Sequence, residues 1–170
     1  IITTGMGGAI LTNNRKIFEK AKHLAATAKI NSKWDYIHDE VGYNYRLPSL
    51  NASLGCSQLK KINYLLDNKR KLYKKYQKSF SKLNFLTLFR EPLHSKSNYW
   101  LQTVILNKGY ENLLTPILDK CYSKNIYIRP SWKPLHTLKF FKKFPKMNLK
   151  NTESLFKRII NIPSSSFLIK

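Results

Sequence analysis

The sequence predicts an α/β fold in two pieces, and three observations carry that expectation. A hydrophobic fraction of 42%, with 10 Tyr, 9 Phe and 3 Trp, is too rich for a disordered polybasic tail and demands a packed core. Beyond a long amphipathic helix, strand-like and helix-like segments alternate, as in a small α/β unit. No apolar run approaches the roughly 18 residues that cross a bilayer. The 170 residues suit one ordinary domain or two small ones. The boundary is placed inside the long helix near Asn63–Asn68, giving pieces 1–62 and 63–170.

From the start of the chain, Ile1–Thr4 and Ala9–Thr12 read as short strands joined by the glycine-rich turn Gly5-Met6-Gly7-Gly8. Asn13 or Asn14 can cap a helix whose face carries Ile17, Ala21, Leu24, Ala25 and Ala28. Periodicity vanishes from Lys29 to Leu47. Loops of that length inside a compact domain are functional or disordered, and three Tyr and one Trp argue against disorder here. Pro48 marks a first helical turn. Leu50, Leu54, Leu59, Ile62, Leu66, Tyr73, Tyr76, Phe80 and Leu83 then trace one apolar stripe along a long helix with lysines on its other faces. Gly55 interrupts that helix, which points to a close backbone approach. Phe85–Arg90 and Tyr99–Leu106 are strand-like. Glu111–Tyr122 places Leu114, Ile117, Leu118 and Cys121 on a helical face, and Ile126–Arg129 is a further strand. Leu155, Phe156, Ile159 and Ile160 mark a last helix capped by Asn151.

Charge is the most conspicuous number. Lys and Arg total 31 against 9 Asp and Glu, a formal +22. Such a balance invites a nucleic-acid reading, yet it divides into 25 Lys and only 6 Arg, alongside 15 Asn and 15 Ile. Each abundant type is one that AT-rich codons specify. Lysine also lacks the guanidinium fork that bidentate phosphate and base recognition uses. A basic RNA-binding domain built on Tyr73-Lys74-Lys75-Tyr76 and Phe140-Phe141-Lys142-Lys143-Phe144 is therefore the lesser reading. Cys56 and Cys121 stand far apart without a CxxC or a neighbouring His, so neither a disulfide framework nor a zinc site is indicated, and no metal is expected. They read as reduced thiols of a cytoplasmic protein. The N-terminus has no charged region ahead of an apolar one, unlike a signal peptide. A chain opening on Ile1-Ile2 with no lead-in reads as a fragment.

Three segments could carry chemistry. Thr3-Thr4-Gly5-Met6-Gly7-Gly8 could cradle a phosphate through its amides or be a tight hairpin turn, and no helix follows at once. In Gly42-Tyr43-Asn44-Tyr45-Arg46-Leu47-Pro48, an amide and a guanidinium two residues apart in extended backbone point the same way and can grip one anion. Alternatively Arg46 satisfies local carbonyls. In Arg129-Pro130-Ser131-Trp132-Lys133-Pro134-Leu135-His136, proline-stiffened backbone presents Arg, Trp and His together, or is a surface loop.

The strings TTGMGGAILTN, HDEVGYNYRLPSLNASLGCSQL, RPSWKPLH and NIPSS occur in that order along nearly the whole chain. Together they resemble the C-terminal half of the DegT–StrS group of pyridoxal-phosphate-dependent sugar nucleotide aminotransferases, nearest the branch that makes 4-amino sugars of the legionaminic-acid type. The resemblance implies an aspartate-aminotransferase-like, fold type I architecture. Residues 1–62 would be the end of the large cofactor-binding domain and residues 63–170 the small C-terminal α/β domain. It implies that the Schiff-base lysine lies just before Ile1, so that this stretch holds no catalytic residue and binds no cofactor covalently by itself. Asn44 and Arg46 would reach the phosphate of the partner subunit's pyridoxal phosphate in a homodimer. Trp132 and His136 would lie near the nucleotide sugar. Met6 departs from the Glu that many members carry at that position. The intact enzyme would aminate a 4-keto-6-deoxy nucleotide sugar for a surface glycan, with an amino acid such as glutamate as donor. A remnant that only dimerises with or binds an intact relative is the other reading.

Overall fold

The computed structural model describes residues 1–169, which divide into two compact units, Ile2–Ile62 and a second running from Asn63 onward together with Ile1. No helix among the described residues is long and apolar enough to cross a membrane.

The first unit has two helices, α1 (Arg15–Ala25) and α2 (Ser49–Leu59). Asn14 caps α1 as expected, its side chain accepting from the amides of Lys16 and Ile17. Ala28 does not continue the helix. It follows Thr27 in the left-handed region (φ 50° after φ 68°) and is fully buried.

The two strands expected at the N-terminus are not formed. A strand needs a backbone ladder, and here α2 supplies side chains instead. Gln58 accepts from the Thr3 amide (3.0 Å) and donates to the Thr3 carbonyl (2.6 Å), while Asn51 donates to the Thr4 carbonyl (2.6 Å). Asn51, Gly55 and Gln58 share one face of α2 at i, i+4 and i+7 spacing. Gly55 lies between them because a Cβ there would stand 3.0 Å from the Thr4 methyl.

The single helix expected from Leu50 to Leu83 is two, α2 and α3 (Ile62–Phe80). The Lys60 amide still bonds the Cys56 carbonyl four residues back (3.2 Å), but the Lys61 amide bonds the Gln58 carbonyl only three back (3.0 Å), a tightening that ends α2 with no Gly or Pro to announce it.

The second unit is an antiparallel sheet with helices. After α3 come β1 (Leu86–Leu88), β2 (Gln102–Leu106), α4 (Leu114–Ser123), β3 (Arg129–Pro130), α5 (Lys150–Phe156) and β4 (Ile159–Ile162). The sheet order is β1-β2-β4-β3, with Leu86 opposite Leu106, Val104 opposite Ile160, and Pro130 opposite Ile160. Val104, Leu106, Ile128 and Ile160 form the buried core, against which Leu114, Ile117, Leu118 and Cys121 of α4 pack.

Three sequence expectations need correction here. Ile159 and Ile160 belong to a central strand, and α5 ends at Phe156 with Leu149, not Asn151, at its cap. In the strand, β-branched residues alternate between faces, and Ile160 is 1% exposed. Ile126–Ile128 is not strand, because the Ile126 amide closes the end of α4 on the Cys121 carbonyl. Only Arg129 and Pro130 pair, and the missing Pro130 amide is tolerated on an edge strand.

One lysine breaks the outward rule. Lys69 on α3 is 7% exposed and donates to the carbonyls of Trp100 (2.9 Å) and Ser164 (2.5 Å), and burial pushes its ammonium pKa down. The closing NIPSS string is structural in the same way. Pro163 accepts from the Tyr76 hydroxyl (2.9 Å), and Ser164 Oγ accepts from the Gln102 amide (2.7 Å).

Arg70 grips both oxygens of Glu91 (3.1 and 3.3 Å) and the Ser97 carbonyl (2.6 Å). That guanidinium, followed by the Ser97 amide, holds the Glu91 carboxyl below its ordinary value. A lowered folded pKa adds stability that is present above the unfolded value and lost as pH falls through the folded one. The difference in urea midpoint between wild type and Glu91→Gln is therefore expected to be largest near neutrality and to close in acid. A difference independent of pH would contradict the ion pair.

Candidate functional site

The long loop after α1 follows a path that its backbone needs explain. The last turn of a helix leaves carbonyls without intrahelical partners. The Tyr43 amide takes the Leu24 carbonyl (2.7 Å), the Tyr45 amide takes the Ala25 carbonyl (2.9 Å), and Thr27 donates back to Tyr43 (3.0 Å). Tyr43-Asn44-Tyr45 thereby caps α1 as a short extended run, with Asn44 bridged to Ala26. Alternation follows from the extension. Tyr43 and Tyr45 fall on one side with rings stacked at 5.2 Å, so Asn44 and Arg46 take the other. Both are exposed, and among the described residues neither side chain makes a hydrogen bond or ion pair. The alternative of an arginine spent on local carbonyls does not describe Arg46.

The loop is held at more than its backbone. His38 meets the Thr27 carbonyl through Nδ1 (2.7 Å), and Lys29 lies over the Tyr36 ring at 4.0 Å. His23 Nε2, in the last turn of α1, contacts Asp39 Oδ1 at 2.6 Å and stands 3.7 Å from Glu40 Oε1, while Lys20 pairs with Glu40. The hydrogen bond from His23 draws the Asp39 carboxyl below its usual range. His23, Asp39 and Glu40 offer ligand atoms within 4.8 Å of one another, but the Lys20 ammonium already sits on Glu40, which disfavours a cation there. Sequence reasoning missed this cluster. Its only signal was a His at a helix C-terminus facing, 16 residues on, the Asp-Glu of HDEVGYNYR.

The glycine turn is a tight turn in which Gly5 (φ 77°) and Gly7 (φ 122°) adopt left-handed backbone that a side chain would strain. An open cleft of about 400 Å³ lies along it, lined by residues 2–9 and Leu47.

Trp132 and His136 belong to the second unit. Trp132 is 75% exposed, whereas His136 Nε2 is engaged by Glu153 at 3.2 Å. A cleft of about 490 Å³ nearby is lined by Leu114, Leu118, Pro130, Ser131, Lys133 and Phe156, among others, and by neither Trp132 nor His136. The aromatic residues of the RNA-binding alternative are partly consumed. Tyr73 is buried against Tyr99 at 4.6 Å, and the Tyr76 hydroxyl is bonded to Pro163.

The fold is that of solved fold type I aminotransferases, which it matches over a little under half of their length. The chain belongs to the DegT/DnrJ/EryC1/StrS aminotransferase family, which matches residues 1–169. It is 35% identical to EpsN of Bacillus subtilis, assigned as a pyridoxal phosphate-dependent aminotransferase, over 98% of this chain and 43% of EpsN. It is 28% identical to the UDP-4-amino-4,6-dideoxy-N-acetyl-beta-L-altrosamine transaminase of Campylobacter jejuni, over 95% of this chain and 44% of that protein. The solved structure of Helicobacter pylori PseC, an aminotransferase of pseudaminic acid biosynthesis, superposes with a TM-score of 0.88 at 24% identity, covering 97% of this chain and 45% of PseC. The chain thus spans a little under half the length of the relatives it matches.

Proposed function

We propose that this chain is the C-terminal part of a pyridoxal-phosphate-dependent aminotransferase that moves an amino group from an amino acid such as glutamate onto the keto carbon of a 4-keto-6-deoxy nucleotide sugar. The observation carrying this reading is the pair Asn44 and Arg46. Two donors on one side of an extended run, without internal partners, suit a phosphate monoester. The names of relatives, a UDP-4-amino-4,6-dideoxy-N-acetyl-beta-L-altrosamine transaminase and a GDP-perosamine synthase, supply the nucleotide-sugar substrate class.

When bound, pyridoxal phosphate supplies an electron sink. The residues of this chain hold and orient it. Arg46 neutralises phosphate charge through its planar fork, and Asn44 adds an amide donor that fixes orientation. Both serve the partner subunit's cofactor in a homodimer. Trp132 offers an exposed ring face on the side of the nucleotide sugar, and His136, steadied by Glu153, orients the same loop. Residues 1–62 are the end of the large domain and residues 63–170 the small one.

The test is a chimera in which the portion of Helicobacter pylori PseC not matched by this chain is joined ahead of Ile1. Glutamate-dependent amination of a UDP-linked 4-keto-6-deoxy sugar is expected. A folded, cofactor-loaded chimera inert toward such sugars on UDP, GDP and TDP would overturn the reading. In the same chimera, losing the charge-assisted contact of Arg46 is expected to cost about 1.5–3 kcal/mol. Equilibrium dialysis should therefore show Arg46→Ala releasing the cofactor roughly tenfold more readily or worse, with Asn44→Ala affected less.

A further inference from the structure

The presentation of Asn44 and Arg46 depends on a place where the backbone is under tension. Thr27 and Ala28 are consecutive non-glycine residues with positive φ, and Thr27 is β-branched. Such strain persists only where surrounding structure over-determines it. The surroundings are visible. Gly42 lies so close beneath them that a Cβ would fall 2.3 Å from the Ala28 nitrogen and from the Thr27 carbonyl carbon. The Asp39 amide bonds the Ala28 carbonyl at 3.3 Å, and His38 the Thr27 carbonyl.

Across this clasp α1 meets the loop's two carboxylates. Lys20 and His23, one turn apart, meet Glu40 and Asp39. Asp39 precedes Gly42 by three residues and Asn44 by five, so the contact that fixes Asp39 sets where the extended run begins.

We propose that His23 is a positioning residue for the anion site, holding the loop through Asp39 so that Asn44 and Arg46 share one phosphate. This deepens the functional reading above and rests on it. His23 is far along the chain from the donors and touches no substrate. It acts by selecting one loop placement, so its loss should weaken recognition of the phosphate without altering the rest of the cofactor's binding.

The experiment compares affinities of the chimera for pyridoxal 5'-phosphate and for pyridoxal, which lacks the phosphate. His23→Leu is expected to weaken the phosphorylated ligand roughly three- to tenfold, as for coupled neighbours, and to leave pyridoxal unchanged. His23→Gln, which keeps an N–H for Asp39, should restore most of the difference. Equal weakening of both ligands, or of neither, would overturn the proposal, since a merely structural role cannot tell them apart. Asp39→Asn gives the same readout from the other side and decides the matter if His23→Leu does not fold. Arg46→Ala separates the layers. If it too fails to distinguish the ligands, the phosphate reading itself falls. The clasp is then judged on the chain as it stands, by hydrogen exchange of the Tyr43 and Tyr45 amides, which His23→Leu should accelerate. Unchanged protection there would refute the clasp.

Discussion

At a cofactor concentration too low to load the Arg46→Ala chimera, two chimeras without activity are expected to regain it when mixed, one lacking the cofactor-bearing lysine of its PseC portion and the other carrying Arg46→Ala. If Arg46 serves the neighbouring subunit, a mixed dimer concentrates both lesions in one site and leaves the other whole. About half the dimers formed at random would then carry one competent site, and activity would rise from background to roughly a quarter of the wild-type level for additive, independent sites. If Arg46 serves its own subunit, every site in the mixture keeps a lesion. Absence of recovery, with heterodimers confirmed by differently tagged subunits, would refute the cross-subunit assignment. Arg46 bears this test because its side chain is exposed and uncommitted. Removing it should disturb a ligand contact without disturbing packing.

Leu106→Ala is expected to produce the largest loss of stability. Leu106 is fully buried in β2, and its backbone is bonded on both sides to Arg158, the amide to the Arg158 carbonyl (2.9 Å) and the carbonyl to the guanidinium (2.8 Å). Those bonds hinder the backbone from collapsing into the space left by the side chain. Leu→Ala truncations in such cores cost about 2–5 kcal/mol, against a total near 5–15 kcal/mol for a folded domain. Thermal unfolding followed by circular dichroism should show a markedly lower midpoint. Phe140→Ala, at a ring that is 75% exposed, should stay within about 0.5 kcal/mol. Similar shifts for the two would mean that the sheet is not the stabilising core.

Why some elements were legible and others not can be traced to particular residues. The Asn13-Asn14 cap signal, the apolar spacing of α1 and α4, and the strand-like run at Tyr99–Leu106 are local signals, and each marks a real element. The β4 strand was misread because Leu155, Phe156, Ile159 and Ile160 satisfy i, i+4 spacing as well as any helix. What decides against a helix is the neighbouring β2 strand, more than fifty residues away. The N-terminal segment was misread for the opposite reason. Its apolar run is strand-like, but Gln58 and Asn51 satisfy its backbone, and no local pattern reports that. At the site, the two-residue spacing of Asn44 and Arg46 was visible because extended backbone converts spacing into direction. The clasp through His23 and Asp39 was not, since a long irregular loop carries no period from which to infer what meets what.

Gly42 also bears on how the gene can change. Its glycine is required not for an unusual backbone angle but because Ala28 and Thr27 occupy the volume of any side chain. Every substitution, however small or chemically mild, meets the same obstacle, so drift has no gentle first step at this codon. The lysine, asparagine and isoleucine excess marks a gene under steady pressure toward A and T, while all glycine codons begin with two guanines. Replacing either guanine by A or T therefore gives a stop codon or a residue with a Cβ, from serine, cysteine and valine to arginine, tryptophan and the carboxylates, and each such residue is barred by the same two backbone atoms. Holding this position against that pressure is a standing demand of purifying selection for as long as the loop has work to do, and a family copy released from its function should lose Gly42 early.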